Sequence, residues 1–476
     1  MPSRRALRIV LGAALLLSVA TVTFGLVTAD TETDLATADA NVSAAEPRDG
    51  ITVVATDSNS WLGDASGGPR SRAELVAFAP NGSVMYYNDS HTRYWDVDPV
   101  EGTNATVEYL YADHLTPEAC DAETVCTENG IERVNLTTGE VTDIYSRVTP
   151  GKHSTRWHDG DRISETEYAI ADIAKDRVFV VNTSTELVEW SWDAQADYPL
   201  SGGGPYPEDW THVNDVEVLE NGTLMASLRN QDQVVFLDRE TGLVENMTLG
   251  EDGDHDTIYE QHNPDYINES NGGPAAIVAD SENNRIIEYQ RGEDGNWTES
   301  WRYTDARLQW PRDGDRLPNG NTLITDSNGN RVLEVDQNGN IVWSVDIAFP
   351  YESERLGTGD ESTGGQSMQS LNGESRTEDD SDGNVSASAG NIAGASANSG
   401  TGGESGVFAS IWGGIKDVMP SKVSQAVSYV KPLWMGPAEI LASLLAIVVL
   451  LVWVPLELYW APYSVSLHSP LRLHRD

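Results

Sequence analysis

Lysine is nearly absent from this chain of 476 residues: Lys152, Lys175, Lys416, Lys422 and Lys431 account for all of it. Arginine included, 30 basic residues face 75 acidic ones, and the formal net charge is -45. A chain this poor in positive charge has no basic patch with which to hold a phosphate backbone, which excludes nucleic-acid binding. Two explanations of the acid surplus compete. Disorder needs few aromatics and low hydrophobicity, whereas 14 Trp, 17 Tyr and 39% apolar residues can build a core. A fold adapted to high salt fits better, because repulsion is screened to about 3 Å at 1 M, and a salt-loving archaeon is the expected source. The length, about three domains at ~150 residues each, also suits one large β architecture.

Cysteine is rarer still. Cys120 and Cys126 stand close together in an irregular stretch; outside a cell they are expected to pair, with two free thiols as the other reading.

Long apolar runs occur only at the two ends. Ile9 to Ala29 is an uncharged, mostly apolar run of 21 residues behind Arg4, Arg5 and Arg8, long enough to cross a bilayer. It reads as a retained anchor within residues 1–30 or as a cleaved signal peptide; either one exports the residues C-terminal to it. The second run, Ile440 to Leu456 with Trp434, Tyr459 and Trp460 as interface aromatics, predicts a transmembrane helix over 434–461. The tail 462–476, with Arg472 and Arg475, is then cytoplasmic, and membrane lipid is one partner of the chain. Between the anchors Asn-X-Ser/Thr recurs at Asn41, Asn81, Asn88, Asn104, Asn135, Asn182, Asn246, Asn268, Asn296 and Asn384, possible glycan acceptors in an exported protein.

Large apolar residues are almost missing from Leu356 to Ser405, so 356–406 is expected to be a disordered tether of Gly, Ser and acid. Residues 407–433 mix apolar and basic side chains, as an amphipathic helix lying on a membrane would.

The middle repeats itself. WPRDGDRLPNGNTLITDSNGNRVLEVDQNGNIVWSV, from Trp310, divides into four short β segments separated by PNG, NGN and QNG turns, which is how a propeller blade reads. Copies begin at Trp157, His212 and Gln261, a looser one at Tyr94, and a three-stranded one at Ile51. The fold class is therefore an all-β, six-bladed β-propeller over 51–355, preceded by a short linker (31–50) and flanked by terminal transmembrane helices. A strand after Asp346 would complete the first blade and close the ring, leaving no sheet edge exposed.

Aligned copies place their leading strands around the axis, so the residues opening those strands converge there. They are His158 with Asp159, His212 with Asn214, His262 with Asn263, and Arg312 with Asp313. Only nine histidines exist in the chain, and three fall at this repeated position. Arg229, ending the second strand of the His212 copy, is a further candidate. Inter-blade hydrogen bonding alone is the competing explanation of these side chains.

The His-X-Asn blade start with an Arg about seventeen residues on (HVNDVEVLENGTLMASLR), the WHD start before it and the YEQH start after it resemble the arylsulfate sulfotransferase family. The resemblance runs from about His153 to Val345. It implies a six-bladed propeller that moves a sulfuryl group from a phenolic sulfate to an acceptor phenol without a nucleotide donor. It further implies His262 as nucleophile, with His158, His212, Asn214 and Arg229 binding sulfate oxygens and assisting the leaving group. Where the family would place an Asp, Asn263 stands. Asn263, Arg312 and Asp159 are the remaining substrate-binding candidates. No metal or redox cofactor is expected, and the partners implied are an aryl sulfate and a phenol. A non-catalytic cell-surface propeller binding a glycan or partner protein stays open beside this reading. So does a calcium-stabilised structural propeller, resting on Asp159/Asp161 and Asp313/Asp315.

Overall fold

Turns set the strands. In the computed structural model the copy from Trp310 folds as Asp313–Arg316, Thr322–Asp326, Arg331–Val335 and Ile341–Asp346, each antiparallel to the next. The turn glycines Gly320 and Gly339 sit at φ +85 and +74, a region that residues with a Cβ rarely enter. The structure describes residues 3–28, 35, 43–57, 73–151, 155–377, 404–416, 418–432 and 434–460.

Six such antiparallel sheets form a six-bladed β-propeller. The leading strands are Arg93–Pro99, Trp157–Asp159, Val213–Val218, His262–Ile267, Asp313–Arg316 and Pro350–Arg355. The last pairs with Thr52–Thr56, Val53 opposite Glu354, so a strand from the C-terminal side completes the N-terminal blade. Burial grades outward: Pro350–Arg355 is buried throughout, whereas Glu140–Pro150, the outer strand of its blade, is exposed or half-buried throughout. Apolar layers between blades hold the ring. Val178, Val180, Trp210, Leu224 and Leu228 are fully buried in one of them, at about 1.5–3 kcal/mol per large apolar side chain removed from water. Cys120 and Cys126 form a disulfide.

The expected tether does not begin at Leu356. Leu356 is buried, and the chain stays ordered to Thr377. Ser362 Oγ bonds both the Arg316 N–H and the Asp265 carboxylate, and the short helix Met368–Leu371 seats Met368 in the core. Gly365 lies where a Cβ would stand 1.9 Å from the Arg316 carbonyl oxygen, a close approach open only to glycine. Composition hid this strap because small residues, not large apolar ones, carry its contacts. Residues 378–403 of the tether, the tail 461–476, Asn41 and Asn384 lie outside the described residues.

Helix Ser421–Val430 also departs from a membrane-lying segment. Ser424 and Gln425 are buried, and Gln425 bonds Gln309, Asn328 and Asn284 of the propeller. Its polar face is the one that is covered.

The terminal helices Arg4–Thr28 and Pro437–Trp460 form a separate unit. They pack together, Arg8 pairing with Glu457 at 2.5 Å, Arg4 and Arg8 lying over Trp460, and Gly25 meeting Glu439. Those contacts make them antiparallel. Both are long and apolar enough to cross a membrane, and only 6% and 11% of their apolar windows are buried, unlike a soluble core helix.

Candidate active site

Four of the six leading strands enter the axis through a kink. His212 (φ 49), Trp310 (φ 52) and Phe349 (φ 46) hold left-handed backbone just ahead of or at a strand start, as does Glu260 (φ 46) two residues before His262. Non-glycine residues there cost of order 1 kcal/mol or more each, and such positions concentrate at functional sites.

The strand starts place the imidazoles together. The ring centroids of His158 and His212 are 5.2 Å apart. Tyr351, from the strand that closes the ring, lies edge-on to both His158 (5.7 Å) and His262 (6.3 Å), and its hydroxyl is 3.0 Å from His158 Nδ1. His158 stacks on Trp95 at 4.2 Å, and its Nε2 is buried with no hydrogen-bond partner. Ser281 Oγ donates to the Pro311 carbonyl (2.7 Å), so at 2.8 Å it accepts from Nδ1–H of His262. That bond leaves the His262 lone pair on Nε2.

Arg229 joins this group. It donates from Nη1 to His212 Nε2 (2.9 Å) and from Nη2 to Glu260 (2.6 Å). His212 Nδ1–H therefore donates to Asp209 (2.5 Å). Arg312 lies over Trp310, Phe349 and Tyr351 at 4.6–4.8 Å and pairs with Asp57.

Burial and positive charge keep the three rings neutral. Burial, then Arg229, brings His212 down to about 4 against the pull of Asp209. His158 and His262 are pushed well below the ordinary value by burial, then by Arg156 and Arg312 respectively. Burial acts upward on Asp209 and Glu260, yet His212 holds the first low, and Arg229 and Lys422 the second. The result is a set of neutral imidazoles beside the guanidinium groups of Arg229 and Arg312, which pair with Glu260 and Asp57, inside a strongly acidic protein.

The site thus gathers His158, His212, His262, Arg229 and Arg312. Asn214 is fully buried beside them, its Nδ2 donating to the Gln261 carbonyl and its Oδ1 unpartnered. Asp159 and Asn263 are committed elsewhere: Asp159 accepts the Val216 N–H (2.6 Å), and Asn263 donates to Glu352 (3.1 Å). Both belong to a set of polar side chains along the axis. Sequence reasoning missed Tyr351, Arg156, Asp209, Glu260, Ser281 and Lys422. Lys422 bonds Glu260 and Glu282, and with Arg229, His255, Tyr259 and Glu260 it lines an open cavity of about 420 Å³. The only advance signal was the rarity of lysine, since three of the five lie in the C-terminal segment.

Residues 154–348 match the family model for arylsulfotransferase, less than half of the chain but all of the strands carrying these histidines. No curated protein matches the chain significantly. Solved structures similar to it include a periplasmic gluconolactonase from Pseudomonas aeruginosa (12% identity, TM-score 0.40, 65% of this chain and 99% of that one). Others are a putative 6-phosphogluconolactonase from Bacteroides fragilis (11%, 0.39, 66% and 99%) and a virginiamycin B lyase from Staphylococcus aureus (9%, 0.36, 64% and 86%).

Proposed function

We propose that the propeller is an arylsulfate sulfotransferase, moving a sulfuryl group from a phenolic sulfate to an acceptor phenol through a sulfohistidine on His262. The observation that carries this reading is a neutral, buried imidazole with its lone pair on Nε2, set among two further imidazoles and the guanidinium groups of Arg229 and Arg312. Nε2 attacks sulfur as the S–O(aryl) bond breaks, dividing one hard transfer into two easier ones. Arg229 and the second Nδ2 hydrogen of Asn214 offset charge on the non-bridging oxygens, as donors do in phosphoryl transfer.

The donor's negative charge, entering beside Arg229, lifts His212 so that it takes up a proton, which leaves with the phenoxide. In the second half the acceptor's oxygen attacks sulfur, the N–S bond breaks, and the acceptor's proton returns to His212. The match over residues 154–348 supports the transferase class.

The test is the full-length protein in multi-molar KCl with a chromogenic aryl sulfate and a phenol. Phenol release that needs the acceptor is expected, falling roughly a thousandfold or more in His262→Ala. No release from the wild type, or equal release from His262→Ala, overturns the assignment.

We further infer that both terminal helices are retained spans and that the propeller faces outward, the side opposite Arg4, Arg5 and Arg8. The antiparallel pairing of the helices and the disulfide support this. Protease added to intact cells should then cut the propeller; full protection would refute the orientation.

A further inference from the structure

Below the imidazoles the axis is lined with acid. At corresponding positions the six leading strands carry Asp96, Asp159, Asp215, Asp265, Asp313 and Glu352, all buried; two residues on, Asp98, Asp315 and Glu354 repeat the pattern, also buried. Side chains two apart share a face of a strand, so both sets look toward the axis. Among the described residues none of the nine is paired with an arginine, lysine or histidine.

Inter-blade ties explain part of this. Asp96 accepts from the Gly160 N–H (3.1 Å), Asp159 from Val216 (2.6 Å), Asp313 from Ser353 (3.2 Å) and Glu352 from Val97 (3.1 Å). Each carboxylate thus takes the N–H that follows its counterpart in the next blade. The rule breaks at Asp215, because Glu217 takes the Tyr266 N–H instead.

Two carboxylates remain unexplained by ties. Asp215, 1% exposed, and Asp315, 2% exposed, each keep Oδ2 buried with no hydrogen-bond partner. A buried carboxylate oxygen without a donor or counter-charge is costly, and a cation would offset that cost. Asp265, Asp313 and Asp315 each offer an oxygen within 4.8 Å of the others. That spread matches ligands 2.3–2.6 Å from a shared Ca2+.

A second trio, Asp96, Asp159 and Glu352, has the same spacing, but both Glu352 oxygens are already taken, by Val97 and Asn263. It is the weaker candidate.

We propose that Asp265, Asp313 and Asp315 bind a calcium ion on the propeller axis, tying the leading strand His262–Ile267 to the leading strand Asp313–Arg316. An all-oxygen, carboxylate set suits a hard cation and not zinc or copper. Mg2+ fits less well, since it demands near-ideal octahedral geometry and keeps its waters. The site stands apart from the sulfuryl-transfer reading and departs from the expectation of a metal-free protein.

The test uses the full-length protein in detergent and multi-molar KCl, stripped with EGTA and then dialysed against Ca2+. Retention of about one Ca2+ per chain is expected, with a rise of several degrees in melting temperature on Ca2+ addition. Asp315→Asn and Asp265→Asn should each lose that ion and that rise, while Asp238→Asn, at the half-buried end of strand Gln233–Asp238, should keep both. No retained Ca2+ in the wild type, or undiminished retention in both Asn variants, overturns the proposal. If one Asn variant fails to fold, the other together with the wild-type stoichiometry decides.

Discussion

Arg229 Nη1 donates to Nε2 of His212 across 2.9 Å while its Nη2 holds Glu260 at 2.6 Å. One guanidinium therefore fixes the tautomer of an imidazole and faces the open cavity at the same time. Its charge adds to burial in bringing His212 down to about 4. An ordinary histidine titrates near 6.5, so the second half-reaction, in which neutral His212 takes the acceptor's proton, should hold its rate down to about pH 5.

Replacing Arg229 by Gln removes that charge. The acid limb of kcat/KM for the acceptor, whose proton neutral His212 takes, should move up toward 6.5, and kcat/KM itself should fall roughly a hundredfold from lost stabilisation of the sulfuryl oxygens. A pH–rate profile of both forms measures the two effects together. An acid limb that stays put would dissociate His212 from the reaction.

Lys422 neutralises Glu260 and Glu282 beside the cavity. Lys422→Ala leaves Glu260 to Arg229 alone and takes the cation from Glu282, and the added negative charge opposes an anionic donor. KM for the aryl sulfate should rise about three- to tenfold with kcat little changed, as expected for one partly screened charge. Steady-state kinetics at two salt concentrations would show it, and a fall in kcat at constant KM would contradict it.

Tyr351 ties the ring closure to the chemistry, because the strand that completes the first blade also carries the hydroxyl on His158 Nδ1. Tyr351→Phe keeps the buried ring and deletes one hydrogen bond. About a five- to tenfold loss of kcat is expected, the value of roughly one hydrogen bond, with a fall of a few degrees in melting temperature from the unpaired imidazole. Equal activity would show that His158 needs no orienting partner.

Much of this was legible in the sequence, and for a physical reason. Propeller blades are built from local hairpins, so the turns at Gly320 and Gly339 and the short segments between them report structure without tertiary knowledge. The repeated histidines could be read because repetition converts a sequence position into a place in the ring. Tyr351 and Lys422 could not: the sequence places the strand bearing Tyr351 only as a segment somewhere after Asp346, Lys422 falls in no repeat, and each reaches the site only through a long-range contact. The axial carboxylates were visible as Asp-X-Asp pairs, but in a chain of charge -45 an acid carries little information until its burial is known. The strap from 357 to 377 was misread because Ser362 and Gly365 pack without apolar bulk.

His91 makes stability depend on pH away from the site. It bridges Asp113 (2.8 Å) and Glu132 (3.1 Å). Burial acts downward, but the hydrogen bonds to both carboxylates override it and raise His91 to about 9. The folded state therefore binds the proton more tightly than the unfolded one, so the stabilisation is complete below about 6.5 and is lost as pH rises through 9. Melting temperatures measured from pH 6 to 10 should fall less steeply in His91→Gln than in the wild type; parallel curves would remove His91 as the cause.

The strap rests on one buried ion pair. Arg316 and Glu288 are both fully buried, 3.1 Å apart, and Glu288 also accepts the Met368 N–H at 2.9 Å from either oxygen. Arg316 lies over Trp301 as well, 4.9 Å from the ring. Removing Glu288 alone strands a guanidinium in the core and frees the short helix Met368–Leu371. Glu288→Ala should therefore destabilise the propeller by ~3–5 kcal/mol, whereas exchanging both partners for apolar residues of similar size should recover most of that loss. Denaturant unfolding of Glu288→Ala and of Glu288→Met/Arg316→Met, followed by limited proteolysis between 357 and 377, separates the two contributions. If the double variant unfolds as readily as Glu288→Ala while its strap is cleaved, the hydrogen bonds to Met368 hold this blade, and the ion pair is secondary.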